Sequence, residues 1–135
     1  LNAGRPGAFG KHSLAEYVQK ANDEILVVAM IESRAGVERI DELCAVDGLD
    51  LVLEGAADLS QSLGVSWQTA HPEVLKALCR VQQRAADHGL PYAAFLRHAD
   101  AKAEWRERGV RTFLLGDERG IAFRALTSAL KEARA

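Results

Sequence analysis

The chain has 135 residues and a formal net charge of −2, from 17 Lys and Arg against 19 Asp and Glu. At 48% apolar and 27% charged it has the composition of one globular domain, which excludes a disordered chain. The near-neutral balance gives no basic footprint for nucleic acid, and no apolar run approaches the ~20 residues that span a bilayer.

The opening segment GRPGAFG (4–10) is Gly-rich, with no apolar h-region of a signal peptide and no preceding strand to make it a phosphate loop. Leu1 stands where an initiator Met would, as expected of a processed or truncated chain. Ser13 and Glu16 are spaced as a capping box and predict a helix over 13–21. ILVVAMI (25–31) predicts a strand buried on both faces. Residues 34–45 predict a helix with Val37, Ile40, Leu43 and Cys44 on one side, stopped at Asp47-Gly48. LDLVL (49–53) is a second strand, followed by a Gly55-Ala56-Ala57 turn and one helical turn over 58–63.

Pro72 opens a long helix whose apolar face is Val74, Leu78, Val81 and Ala85, and Gly89 closes it. A strand over 92–96, a helix over 99–108, a strand over 110–115 and a helix from 118 to 134 complete the chain. The last helix carries Ala122, Leu126, Leu130 and Ala133 on one face. The order α-βαβαβαβα means a parallel sheet covered by helices, either a small doubly wound sheet or part of a (β/α)8 barrel. No GxGxxG or Walker A motif is present for a nucleotide. Cys44 and Cys79 have no metal-ligand spacing and read as two free thiols in a reducing cytoplasm.

Parallel α/β folds place ligands at the C-terminal ends of their strands. Glu32 follows the first strand and Asp58 the second. Neighbouring strands lie about 5 Å apart, so both carboxylates reach one mouth. Two oxygen donors make a partial shell for Mg2+ or Mn2+, with positions left for water and substrate. The side-chain-poor turn before Asp58 lets backbone N–H groups approach a small anion. Spacing alone leaves a second reading open, in which these acids are helix caps or solvated loop residues.

The same residues carry a family resemblance. YVQKAN (17–22), Ile31-Glu32-Ser33, Gly48-Leu49-Asp50, GAADLS (55–60), Leu63-Gly64 and HPEV (71–74) stand in an order and spacing that resemble the HpcH/HpaI aldolase and citrate lyase superfamily, the metal-dependent class II pyruvate aldolases. Beyond Val74 the likeness fades to the strand–helix rhythm and Gly116-Asp117. The resemblance implies a (β/α)8 TIM-type barrel, and this chain is expected to hold its C-terminal half: one incomplete domain over 1–135, with strands five to eight. It implies Glu32 and Asp58 as the divalent-metal ligands. Gly55, Ala56, Ala57 and Asp58 would form the keto-acid carboxylate site.

The implied activity is carbon–carbon bond cleavage or formation on pyruvate- or oxaloacetate-type 2-keto acids through a metal-stabilised enolate, with an aldehyde or acyl thioester as partner. A homo-oligomer is also implied. Ala56 stands where the family has Pro, Ser33 where it has Thr, and Glu54 where an apolar residue is common. The family's general-base His and keto-binding Arg come from early strands that nothing here matches, and Arg5 is not that Arg. No catalytic residue is therefore assigned. An enzyme of the citrate synthase or lyase type, including siderophore-linked citrate synthesis, is the alternative within the superfamily, and a non-catalytic half-barrel binding module is the alternative outside it.

The remaining candidates read more plainly. His71 enters a helix before Pro72, His98 is a loop residue or faces the mouth, and His12 and His88 are surface residues. Asp117 reads as an N-cap. Trp67 shapes a pocket or a subunit contact, and Trp105 packs on a neighbouring element.

Overall fold

A computed structural model describes residues 4–134, apart from the side chains of 5, 6 and 8, so the Arg5 guanidinium and Leu1 lie outside the described residues. After a 3-10 turn at Arg5–Gly10 the elements run α1 (Leu14–Glu24), β1 (Val28–Ile31), α2 (Arg34–Glu38), α3 (Ile40–Cys44), β2 (Leu51–Glu54) and α4 (Ala56–Ser62). They continue with α5 (Pro72–Asp87), β3 (Tyr92–Phe95), α6 (Ala101–Glu107), β4 (Thr112–Leu114) and α7 (Glu118–Ala133). The strands form one sheet in the order β1-β2-β3-β4, every neighbour parallel. This α/β half barrel is the expected fold class. No helix among the described residues is long and apolar enough to cross a membrane.

Helix caps follow the sequence closely. Ser13 Oγ accepts the Glu16 N–H while Glu16 accepts the Ser13 N–H, closing the capping box on α1. His71 Nδ1 accepts the Glu73 N–H, with Pro72 in the first turn of α5, so this histidine is a helix-entry residue. Gly89 (φ 73°) then takes the left-handed conformation that ends α5. Asp117 accepts the Gly120 N–H at 2.7 Å and caps α7.

The core lies between the sheet and α5. Val74, Leu78, Val81 and Ala85 recur at helical spacing, and all are fully buried against Ile40, Val52 and Leu59. Each buried Val, Leu or Ile side chain among them contributes roughly 1.5–3 kcal/mol by leaving water. Trp105 on α6 packs on Tyr92 of β3, with ring centroids 5.3 Å apart, as expected of a packing residue.

The structure corrects three expectations. The run 25–31 is not buried on both faces: Ile25, Leu26, Val28 and Met30 are exposed, and only Ile31 is buried. Alternation decides this. Ile31 turns to the helix layer, while Met30 turns to the opposite face, which no described element covers. The single helix over 34–45 is two, broken at Arg39 (φ −100°, ψ 22°), and the break leaves Val37, Ile40 and Cys44 all buried. The expected packing face of α7 is not buried, with Leu126 and Leu130 71% and 51% exposed.

Candidate functional site

The site begins with register. Ile31 pairs with Glu54, and the Gly55 N–H donates to the Ile31 carbonyl at 3.0 Å, so the strand ends carrying Glu32 and Gly55 are adjacent. They approach closely. A Cβ placed on Gly55 would stand 2.5 Å from Glu32 Cβ and 3.2 Å from its Cα, nearer than side chains tolerate. Gly55 is therefore required by contact, because Glu32 occupies the space a larger residue would need.

Immediately after Gly55, α4 begins with no side-chain cap, and Asp58 lies in its first turn. Gly55, Ala56, Ala57 and Asp58 all line one cavity of about 270 Å³. Met30, Thr69, Phe95 and Arg97 complete its wall. The structure thus gathers the four expected substrate-site residues in one concavity. Glu32 approaches Gly55 of the lining but does not itself line the cavity. Glu32 and Asp58 are both exposed, and among the described residues neither side chain has a hydrogen-bond or ion-pair partner. They are not caps: Ser33 caps α2, its Oγ accepting the Gly36 N–H at 3.1 Å, and α4 has no side-chain cap.

Ser60 stiffens the loop that follows. Its buried hydroxyl donates to the Ala57 carbonyl at 2.6 Å and accepts the Trp67 N–H at 2.9 Å. Trp67 itself is 78% exposed and does not line the cavity. His98 does not reach this cavity either. It lines an adjoining one of about 420 Å³ beside α5 and α6, which shares Thr69, Phe95 and Arg97 with the first, and its Nε2 is 3.7 Å from Glu104.

Beside the expected site stands a network that strand-end reasoning missed. Glu54 has no exposed surface, at the end of an otherwise apolar strand. Its carboxylate accepts from the Phe95 N–H at 2.6 Å, from the Tyr92 hydroxyl at 3.0 Å, and from an Arg97 guanidinium N–H. No described buried side-chain polar atom lacks a partner. Burial and the adjacent Glu54 carboxylate push the Tyr92 phenol far above its ordinary range, so it stays a proton donor to Glu54. The signal was an acid in Leu51-Val52-Leu53-Glu54, which a buried strand carries only with a partner.

Chemically, two unpartnered carboxylates beside a cavity are oxygen donors of the kind a hard divalent ion takes, with water and substrate completing its shell. The close approach at Gly55 sets where the Glu32 Cα and Cβ sit beside the cavity-lining backbone. Among the described residues no group of three or more His, Cys, Asp or Glu side chains gathers around a common point, so a protein-only cage is not built here.

Residues 5–125 match the model of the HpcH/HpaI aldolase/citrate lyase family. The 5-keto-4-deoxy-D-glucarate aldolases of Shigella boydii and Escherichia coli are 33% identical over 129 residues, covering 95% of this chain and 49% of theirs. Among solved structures, the citrate synthase SbnG is 41% identical with a TM-score of 0.81, over 90% of this chain and 49% of that one. An HpcH/HpaI aldolase/citrate lyase family protein of Burkholderia cenocepacia is 31% identical with a TM-score of 0.82, over 100% of this chain and 52% of that one. The chain therefore spans about half the length of the relatives it matches, and it belongs to the HpcH/HpaI aldolase/citrate lyase family.

Proposed function

We propose that this chain carries the metal and keto-acid site of a divalent-metal-dependent carbon–carbon lyase or aldolase acting on pyruvate- or oxaloacetate-type 2-keto acids. The observation that carries the reading is the junction at Gly55, which seats Glu32 against the backbone that leads into Asp58 and the cavity. Glu32 and Asp58 would hold Mg2+ or Mn2+. A divalent ion bound there supplies Lewis-acid polarisation of a keto oxygen.

The chain's own groups do the rest. The uncapped N–H groups of Ala57 and Asp58 are placed to take the carboxylate of the keto acid. Met30 and Phe95 give the cavity apolar walls. In this reading the proton-moving base belongs to barrel strands that the longer relatives carry outside the matched half.

The test is metal-dependent retro-aldol cleavage by the intact protein, with Glu32→Gln and Asp58→Asn alongside. Both substitutions are expected to weaken metal binding and remove activity. Unchanged metal affinity and turnover in both would overturn the assignment. The 41% identity to a citrate synthase favours a second reading, in which an acyl thioester replaces the aldehyde. Oxaloacetate with acetyl-CoA, assayed against pyruvate with aldehydes, separates the two.

A further inference from the structure

We propose that Arg97 determines substrate specificity by taking a second carboxylate on the keto acid, and that the buried Glu54 positions it for this. The inference rests on the keto-acid reading above and concerns which keto acid the cavity prefers.

Arg97 lines the same cavity as Ala57 and Asp58. Its side chain is 28% exposed, and its guanidinium carbon lies 5.3 Å from the centre of the Phe95 ring. One terminal nitrogen is held by Glu54. Glu54 in turn is fixed by the Tyr92 hydroxyl and the Phe95 N–H, whose loss would leave a buried carboxylate under-satisfied. The guanidinium is thus clamped at one nitrogen and against one ring, while its other N–H donors remain for a ligand.

Stability alone does not account for such a pair, because a buried ion pair is commonly no better than apolar residues of the same volume. Its effect is to present a planar donor fork, already ordered, to the cavity. Glu54 offsets the Arg97 charge, so recognition depends on the direction of the donors more than on long-range attraction. A carboxylate matches that fork in shape and charge. The cavity wall then offers two chemistries, Asp58 with the first turn of α4, and Arg97. A keto acid with one carboxylate engages the first only. A keto diacid engages both.

The experiment measures the calorimetric Kd of pyruvate and of oxaloacetate for the intact protein with saturating Mg2+. Arg97→Ala strands Glu54 and risks misfolding, so the informative variants are the paired Glu54→Gln/Arg97→Ala, which still serves the Tyr92 hydroxyl and the Phe95 N–H, with Arg97→Lys and Glu54→Gln, each checked by its melting temperature. The paired variant is expected to shrink the preference for oxaloacetate over pyruvate about 10–100-fold, the worth of a charged hydrogen bond. Arg97→Lys keeps the charge and restores part of the preference. Glu54→Gln keeps the shape and gives an intermediate value. An unchanged preference in the paired variant overturns the role of Arg97 while leaving the keto-acid reading intact. A wild-type protein that binds neither acid overturns both.

Discussion

Glu54 and Asp58 stand four residues apart across one strand–helix junction, and their surroundings are opposite. Glu54 is wholly buried and accepts from a phenol, an amide and a guanidinium. Asp58 is exposed beside a cavity and has no protein partner among the described residues. The difference separates two uses of a carboxylate. Where both oxygens are engaged, the group organises its neighbours. Where neither is, the group remains available to a ligand. Removing each should therefore damage a different property.

The largest effect on folding should come from Arg97→Ala. It leaves Glu54 buried without its cation and should cost about 3–5 kcal/mol in urea unfolding of the intact protein. The paired Glu54→Gln/Arg97→Ala removes the buried charge while its amide can still pair with the Phe95 N–H and the Tyr92 hydroxyl, so it should restore part of that loss, and a pair as unstable as the single variant would contradict the account. Asp58→Asn should do the reverse. Activity should fall roughly 100–1000-fold, while the unfolding midpoint moves by no more than about 0.5 kcal/mol. Chelation of the wild-type protein should reproduce the activity loss, reversed by added Mg2+.

Gly55→Ala joins the two behaviours, since its new methyl meets the Cβ and Cα of Glu32. A destabilisation of about 1–3 kcal/mol should appear together with weaker metal binding, because Glu32 must move. A loss of stability with metal affinity untouched would detach Glu32 from the site.

These residues also mark what the sequence could reveal. The alternation of strands and helices and the buried face of α5 were legible because apolar periodicity reports local geometry directly, whereas periodicity left a doubly wound sheet and a barrel half open and only the family resemblance implied the strand order. Glu32 and Gly55-to-Asp58 were legible because they follow strands. The Glu54–Arg97 pair was not, because its partners lie 43 positions apart and only β2–β3 pairing brings them together. The exposure of 25–30 was hidden for another reason. A continuous apolar run reads the same whether one face or both are covered, and only the tertiary layers decide. The break at Arg39 lay below the resolution of periodicity, since Val37, Ile40 and Cys44 fit one helical stripe with or without it.

Asp41 is the intermediate case, paired like Glu54 and solvated like Asp58, and it should give the smallest effect. It joins α3 to α5 through Arg84, at 2.7 Å from Nε and 2.6 Å from Nη2, and through His88 Nε2 at 3.1 Å. The hydrogen bonds from Arg84 and then His88 hold its carboxyl below the usual Asp value. A carboxyl whose folded value is depressed stabilises the fold above its unfolded value of about 3.9, and loses that contribution as pH falls through the folded one. The melting temperature of wild type should thus exceed that of Asp41→Asn by a constant small margin from about pH 5 to neutrality. The margin should close as the pH is lowered past the ordinary carboxylate range, and shrink in high salt because the pair is solvated. A margin that widens in acid would show that the α3–α5 tie does not depend on the ionised carboxylate.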